Sequence, residues 1–393
     1  FAVVQRCSAA WTTATAVQHV NVSLNGESLI SLRVVKTRED VTAALSEHER
    51  ALLVLSEERS VLEPLVARAA SYSCAIGGKD LSSALEPLLA VVRAAVVGKP
   101  ALSLYACEND HDAVAKLCPL VGDCVEVVPV LVDRVCSGRD IAEGGSVNVT
   151  TEPYLGDLVI PPPKSKPRAA LPFGGSSVTQ PGTSAGAEFL HRKKILTVNG
   201  THTTLAFLTL VQAEPSTKGP PYSSHELLAF DVTAAVAGDK AGDQTPGRTC
   251  WVWAVARQLM LLDEFEDEVL RYTLGAGKRL GDAEVCEALV EGAKAAVGRL
   301  SSGGDQTGRV LGGGVVNRWQ GRLANVAEWL SVQRSLTPLA RMLLRRANVE
   351  AVELRRSVEW LVAASKRFTE VRRRDASRSL SRPRSISRPA ERR

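Results

Sequence analysis

Short apolar runs alternate with amphipathic stretches between residues 39 and 135. The strand-like runs are ALLVLS, YSCAIG, ALSLYA and VEVVPVLVDRV, and segments with helical spacing lie between them. Such alternation indicates βαβ units around a parallel sheet. Ligands of these sheets bind at the carboxyl ends of the strands, which here carry Ser56–Glu58, Cys107–Asp110 and Asp133–Arg134.

The pattern changes after residue 160. Proline, glycine and serine dominate residues 161–190, which we expect to form a loop or an insertion. Residues 191–371 show helical spacing, and residues 372–393 are rich in arginine and serine. The predicted fold class is therefore α/β plus all-α, with a sheet domain at 1–160, a helical domain at 191–371 and a disordered basic tail at 372–393.

The positive charge of the chain is concentrated in that tail. Its nine arginines and two acidic residues contribute +7 to a net charge of +5, so the other residues together carry −2. A slightly acidic body is not typical of a nucleic-acid-binding domain, and we expect no nucleic-acid partner, with RNA binding by the tail as the weaker alternative. Charged residues interrupt every long apolar run, so no membrane span is expected either.

The eight cysteines are scattered without a repeated CxxC pattern, and no signal peptide is apparent. Free or buried thiols favour a reducing compartment, so we predict a cytoplasmic protein, with a plastid as the alternative. Cys107, His111, Cys118 and Cys124 crowd together in sequence. Their spacing fits no paired zinc knuckle, and we expect no metal ligand among them.

One apolar segment, KKILTVNGTHTT, contains a lysine, an amide and an imidazole. In a helix Asn199 lies about 140° and His202 about 80° around the axis from Lys194, so the three share one face. A polar trio on a mostly buried helix is costly unless its members are paired or functional. Taken singly, each has a structural alternative, such as a solvated helix end for Lys194 or a core histidine for His202.

Four motifs follow one another along the chain: CEN at 107–109, VDR at 132–134, TEPY at 151–154 and K-x4-N-x2-H at 194–202. In this order they resemble the polyol-specific long-chain dehydrogenases, the family that includes mannitol 2-dehydrogenase and mannitol-1-phosphate 5-dehydrogenase. The CEN form favours the mannitol-1-phosphate branch. The resemblance implies a Rossmann-like nucleotide-binding domain, a helical substrate domain, NAD as the cofactor, and metal-free oxidation of a small polyol or polyol phosphate.

The resemblance also implies a role for each motif residue. Lys194 accepts the proton of the substrate alcohol, Asn199 and Asn109 donate hydrogen bonds to the developing alkoxide, His202 orients the substrate or holds Lys194, and Asp133 completes the network. A free lysine has a pKa of about 10.4, so desolvation or a nearby cation must lower that pKa for base catalysis.

Further positions are candidates for holding the two ligands. Ser56 and Asn109 follow strand ends and are the cofactor-binding candidates. Arg134, Arg192 and Lys193 are the cationic candidates for a substrate phosphate. These assignments also follow from the resemblance.

The chain departs from the family at its first residues. The family has a glycine-rich phosphate loop after its first strand, but residues 1–17 contain no glycine. We therefore expect that the first βα unit is missing from the sheet domain, or that cofactor binding has been lost. The second case predicts a catalytically silent paralogue that acts as an interaction protein.

The tail contains RSLSRP and RSISRP. Both fit the phosphoserine motif R-S-x-S-x-P that 14-3-3 proteins bind, with Ser381 and Ser387 as the phosphorylated residues. A phosphate adds about −2 charge per site and changes partner choice. The alternative is a generic basic, low-complexity tail.

Overall fold

The structure is a computed structural model. It describes residues 1–76, 81–96, 102–123, 125–134, 136–152, 154, 156–164, 170–213, 225–238, 245–312, 314–333 and 335–380, with the backbone alone for residues 137 and 370–380. The chain divides into two units, Phe1–Ala187 and Glu188–Arg393. The border between them falls inside the segment 161–190 that the sequence predicts as a loop or insertion.

The described part of the first unit contains three sheets. Their strands are β1 Ala2–Gln5, β2 His19–Leu24, β3 Glu27–Val34, β4 Leu52–Leu55, β5 Tyr72–Cys74, β6 Leu102–Ala106, β7 Val125–Pro129, β8 Leu131–Val132, β9 Cys136–Ala142, β10 Ser146–Thr151, β11 Leu158–Val159 and β12 Val178–Thr179.

The largest sheet has the strand order β1-β4-β3-β2-β10-β9. Strands β1, β3 and β4 run parallel, β10 is parallel to β2, and the β2–β3 and β9–β10 pairs are antiparallel. The hairpin between β2 and β3 turns at Asn25 and Gly26, whose φ angles are 52° and 85°. Asn-Gly is the dipeptide that such left-handed two-residue turns favour, so this hairpin follows directly from local sequence.

The second sheet is entirely parallel, with the order β5-β6-β7. Its central strand β6 is buried along its whole length, as expected for a parallel strand covered on both faces. A third, small sheet has the order β12-β11-β8 and follows directly on β7 through Val130. It therefore continues the chain from the carboxyl end of the parallel sheet.

Six helices accompany these strands in the described part of the first unit. They are α1 Ala9–Ala14, α2 Arg38–Ser46, α3 Arg59–Arg68, α4 Leu81–Val96, α5 His111–Ala115 and α6 Cys118–Val121. Helix α2 begins with a capping box in which Thr37 and Asp40 bond reciprocally. Helix α4 buries Leu81, Leu85 and Leu89, which are four residues apart and form one apolar stripe.

All the named secondary-structure elements among the described residues of the second unit are helical. Its elements are α7 Ser184–Lys193, which begins before the border, the π-helical segment π1 Lys194–Asn199, α8 Gly200–Gln212, α9 Val232–Ala237, α10 Pro246–Glu264, α11 Asp267–Leu274, α12 Asp282–Leu300, α13 Thr307–Leu311, α14 Val315–Trp319, the π-helical segment π2 Gln320–Ala324, α15 Asn325–Val332, α16 Pro338–Arg346 and α17 Ala351–Leu380. Helix α17 continues past residue 371, where the tail was predicted to begin.

Two helices form the centre of this unit. Helix α10 buries nearly all its residues around Trp251 and Trp253, and α8 buries Leu205 to Leu210. A helix that is apolar on every face must be surrounded by others. Helices α12, α15, α16 and α17 provide that cover by packing against α10. Residues in π1 and α8 are therefore fixed against a dense core.

The predicted fold class is confirmed, because a parallel-rich α/β unit precedes a helical unit. One detail of the prediction is wrong, since the parallel strands do not form a single sheet. Strand β4 belongs to the mixed sheet, whereas β5, β6 and β7 form their own. Within the described ranges, none of the helices has the combination of length and apolar character that crossing a bilayer requires.

Candidate active site

The lysine, asparagine and histidine of K-x4-N-x2-H lie on one continuous helical stretch. Lys194 and Asn199 are the first and last residues of π1, and His202 is in the first turn of α8. The sequence predicts a regular helix here, and this is wrong in detail, because π1 has i→i+5 hydrogen bonding. Such a turn places residues five apart on the same face. Lys194 and Asn199 are therefore closer to alignment than in an α-helix.

All three side chains are half-buried, above the buried residues Leu196 and Thr197. Asn199 does not cap α8, and its carboxamide makes no hydrogen bond with any described residue. A half-buried amide without a partner is unusual in a folded protein. Its two N–H donors are thus free for a ligand.

His202 has an acidic neighbour that the motif does not contain. Its Nε2 lies 2.8 Å from Oδ2 of Asp305, although the two are not aligned as a linear hydrogen bond. Both side chains are mostly buried, with 15% and 17% of their surface exposed. The carboxylate therefore fixes the ring in place.

Asp305 stays ionised despite its burial. Burial raises the pKa of this carboxyl group, but contacts from His202, Arg309 and the backbone N–H of Gln306 outweigh that effect and hold the pKa well below its usual range. Arg309 contacts Asp305 from one turn along α13. The pair His202–Asp305 is consequently supported by the guanidinium group of Arg309.

Helix α10 carries two fully buried polar residues directly beneath this stretch. Gln258 Nε2 donates to Thr197 Oγ1 at 2.8 Å, which ties α10 to π1. Arg257 Nη2 donates to Thr204 Oγ1 at 2.7 Å, which ties α10 to α8. Both α10 residues have 0% exposed surface. The backbone that carries Asn199 and His202 is therefore held by side-chain hydrogen bonds as well as by apolar packing.

Gly200 makes this close packing feasible. A Cβ atom at this position would lie 2.4 Å from Nε and 2.9 Å from Cζ of Arg257. Both distances are shorter than van der Waals contact. Glycine is thus required between Asn199 and Thr201 because the guanidinium group occupies the space of a side chain.

Arg257 is a buried cation without a carboxylate partner among the described residues. Its Nη1 donates to Trp253 O, its Nη2 also donates to Arg322 O at 2.8 Å, and its Cζ lies 5.2 Å from the Trp253 ring centre. Its Nε is buried without a partner. Burial lowers the pKa of Arg257 to about 9.

The three substrate-phosphate candidates have different surroundings. Arg192 forms a two-pronged ion pair with Glu264, at 2.6 Å for both bonds, and this pair raises the pKa of Arg192. Lys193 lies against Gly292 of α12. Arg134 is half-buried, and its Nε is buried without a partner. Arg134 therefore keeps a donor for a ligand, whereas Arg192 uses two nitrogens for Glu264.

In the first unit, the CEN and VDR motifs are joined directly. Asn109 Nδ2 donates to Val132 O at 2.9 Å, and Val132 N donates to Asn109 Oδ1 at 3.2 Å. Asp133 follows and is 8% exposed. Gly156 is packed so closely against the backbone of Asp133 that a Cβ there would overlap its carbonyl oxygen. The structure thus fixes the position of Asp133 through its backbone.

The strand ends offer limited means of holding a dinucleotide. Ser56 follows β4, and its N–H bonds to Gln5 O while its hydroxyl donates to Glu57. The turn from β1 to α1 contains no glycine, and the side chain of Ser8 caps α1 instead of facing a ligand. The close backbone approach that a pyrophosphate needs is therefore absent from this turn. Ser56 and Asn109 stay predictions as contacts of NAD.

Two groups of predicted residues need a separate note. The described residues do not bring three His, Cys, Asp or Glu side chains together as a metal site. Cys124 lies outside the described residues, as do Ser381 and Ser387 of the tail with their predicted 14-3-3 motif.

Sequence analysis missed Asp305, Arg257 and Gln258. Asp305 lies about a hundred residues after His202, in a glycine-rich segment between two helices. The only signal for Arg257 and Gln258 was their presence inside an otherwise apolar helix pattern. Buried polar residues in such a pattern have partners or a function, so their position in the sequence was enough to mark them as candidates.

No protein-family model and no curated protein matches the sequence. Solved structures match the fold at low identity. A ketopantoate reductase from Ralstonia eutropha JMP134 is 14% identical, with 93% of this chain and 91% of that chain covered and a TM-score of 0.33. The Pseudomonas fluorescens mannitol 2-dehydrogenase complex with NAD and D-mannitol is 14% identical, with 97% of each chain covered and a TM-score of 0.40. An octopine dehydrogenase complex with NADH and agmatine is 11% identical, with 91% and 79% covered and a TM-score of 0.41. These likenesses are too distant to support an argument about function.

Proposed function

We propose that this chain is an NAD(H)-dependent dehydrogenase that interconverts mannitol 1-phosphate and fructose 6-phosphate without a metal ion. The observation that carries the proposal is the arrangement of Lys194, Asn199 and His202 on one half-buried helical stretch that begins with a π-helical segment. π-helical turns occur frequently at functional sites. The order and spacing of the three residues match the polyol dehydrogenase motif in full.

Lys194 is the proposed general base. Oxidation of a secondary alcohol removes a proton from oxygen and a hydride from the carbon that carries it. Lys194 in its neutral form takes the proton, and the C=O bond forms as the hydride leaves. The role requires the neutral amine, and desolvation is the physical effect that favours this form of a lysine.

Asn199 and His202 are the proposed groups that stabilise the alkoxide. The free carboxamide of Asn199 has N–H donors for the oxygen that becomes negative as its proton leaves. His202 is held by Asp305, so its ring keeps one orientation toward a substrate. Asn109 and Asp133 belong to the same proposal by resemblance, as a further donor and as a member of the hydrogen-bond network.

NAD is the proposed cofactor, with Ser56 and Asn109 as its contacts. Bound NAD would supply the acceptor for the hydride that leaves the substrate carbon. The fit is partial, since the turn between β1 and α1 contains no glycine for a pyrophosphate. Arg134 is proposed as a substrate contact because its buried Nε has no partner.

The test is NADH oxidation with fructose 6-phosphate or fructose as the acceptor. We expect Lys194→Met to lower kcat by about 10²- to 10⁴-fold, because a general base contributes that much. Lys278→Met, which removes an exposed lysine of the same unit, is the control and should keep full activity. Full activity of Lys194→Met, or no activity of the folded wild-type protein with either ketose, would contradict the proposal.

The glycine-free turn after β1 favours a second candidate, a catalytically silent paralogue. In that case the chain acts as an interaction protein through its basic tail, with phosphorylated Ser381 and Ser387 bound by a 14-3-3 protein. Titration of the intact chain with NADH, followed by NADH fluorescence, separates the two. Saturable NADH binding favours the enzyme, and its absence together with 14-3-3 binding of the phosphorylated chain favours the paralogue.

A further inference from the structure

Two arginines stand one turn apart where α14 passes into π2. Arg318 is in α14 and Arg322 is in π2, and residues four apart lie on the same side of a helix. Both side chains are half-buried. Among the described residues neither has a carboxylate within ion-pair distance, whereas Arg192, Arg248 and Arg271 of the same unit each have one.

Without a ligand, this arrangement lowers the stability of the folded protein. The Nε of Arg318 and the neighbouring Nε1 of Trp319 are both buried without a hydrogen-bond partner. Burial, together with the positive charge of Arg318, lowers the pKa of Arg322 to about 10. Buried donors without a partner and shifted pKa values of this kind mark candidate ligand sites.

The arginine pair is tied to the stretch that carries Asn199 and His202. Arg257 Nη2 donates both to Arg322 O, at 2.8 Å, and to Thr204 Oγ1, at 2.7 Å. The same guanidinium group fills the space beside Gly200. Segment π2 also packs directly on α8. One buried side chain thus sets the distance between the arginine pair and the proposed catalytic helix.

We propose that Arg318 and Arg322 bind the phosphate monoester of the substrate, with the indole N–H of Trp319 as a third donor. A phosphate dianion carries about two negative charges and accepts several hydrogen bonds, so it matches two guanidinium groups. A carboxylate would neutralise only one of them. The inference rests on the proposed dehydrogenase, since it assigns that enzyme's preference for a phosphorylated substrate.

The experiment is calorimetric titration of the intact chain with fructose 6-phosphate, fructose and inorganic phosphate, without cofactor. We expect Arg318→Gln and Arg322→Gln each to weaken fructose 6-phosphate binding by about 10- to 100-fold, the value of one charge-assisted hydrogen-bonded contact. Arg345→Gln is the matched control, because it removes an exposed arginine of α16, and it should leave that binding unchanged.

A second measurement separates binding from structural support. The melting temperature of the unliganded protein should stay the same or rise in Arg318→Gln, since the substitution removes repulsion from Arg322. In the wild type, fructose 6-phosphate should raise the melting temperature, and in Arg318→Gln it should raise it less. A lower unliganded melting temperature together with unchanged fructose 6-phosphate binding would identify a structural role and overturn the proposal.

The remaining outcomes distinguish this proposal from the proposed function. If fructose 6-phosphate binding depends on the two arginines but the chain has no dehydrogenase activity, the phosphate subsite is supported and the proposed dehydrogenase function is contradicted. If Arg318→Gln and Arg322→Gln both leave the activity with fructose 6-phosphate and its KM unchanged, the phosphate subsite is overturned and the proposed dehydrogenase function still stands. Arginine-dependent binding of inorganic phosphate that fructose 6-phosphate does not displace also overturns the subsite.

Discussion

Helix α10 carries two buried arginines with opposite surroundings. Arg248 forms two bonds with Glu353, at 2.6 and 2.8 Å, and also donates to the carbonyls of Ala235, Val236 and Asn348. Arg257, nine residues later, is fully buried and has hydroxyl and carbonyl partners but no described carboxylate. One helix thus contains a neutralised cation and an uncompensated one.

The difference separates structural from functional use of charge. Arg248 joins α10 to α9 and α17, and its counter-charge comes from the protein itself. Arg257 lies between α8 and π2, beside further arginines without counter-charges. A region that collects positive charge without neutralising it is suited to an anionic ligand.

The largest expected effect is the loss of stability on substitution of Arg248, the arginine that has a carboxylate partner. Arg248→Met should lower the free energy of unfolding by about 3–5 kcal/mol, because it leaves Glu353 buried without its partner. Denaturation in urea measures the change. Arg257→Met should cost less, since it leaves no unpaired charge behind. An equal loss from both substitutions would show that Arg257 is as structural as Arg248.

An intermediate effect is expected where Arg257 meets α8. Gly200→Ala should lower the free energy of unfolding by about 1–3 kcal/mol, because the new methyl group overlaps a guanidinium group that has no room to move. Thermal unfolding is the measurement. The matched control is Gly298→Ala in α12, where nothing lies within 4 Å, and it should stabilise the protein by about 0.5–1 kcal/mol. If both substitutions stabilise the chain, the close packing at Gly200 is refuted.

The smallest effect concerns Asp305 and depends on pH. Asp305→Asn should destabilise the protein by about 1–2 kcal/mol at neutral pH, because the carboxylate holds His202 and Arg309. The pKa of Asp305 is lower in the folded protein, so its contribution is complete above the ordinary carboxyl pKa of about 4 and falls as the pH drops below that value. Urea denaturation of both proteins at pH 7 and pH 3 measures the difference. A difference that grows in acid would contradict the assigned pair.

Local sequence accounts for the fold better than for the site. The apolar runs at β4, β5 and β6 and the helical spacing after residue 191 predicted most elements, because each depends on residues close in sequence. Which strands share a sheet was not predicted, since strand pairing depends on contacts between distant residues. The residues before 39 were left without an assignment, although the Asn25–Gly26 turn is a strong hairpin signal.

The candidate site shows the same division. The K-x4-N-x2-H spacing placed Lys194, Asn199 and His202 on one helical stretch in advance. Asp305 reaches His202 from a loop about a hundred residues away, and Glu264 occupies Arg192 from another helix. Motif spacing contains no information on such long-range partners. The roles of the motif residues stay predictions until activity is measured.

Segment π1 also fixes the angle by which α8 is rotated about the helix axis relative to α7. An α-helix turns by about 100° per residue, so any change of length rotates everything that follows. The wider turn at Lys194–Asn199 instead sets one particular angle between the two helices without breaking the chain. If the same residues adopted regular α-helical hydrogen bonding, both helices would persist, yet Asn199 would lie about 140° around the axis from Lys194 instead of near it. The hydrogen-bonding pattern of this segment is thus as much a part of the motif as the identity of its residues.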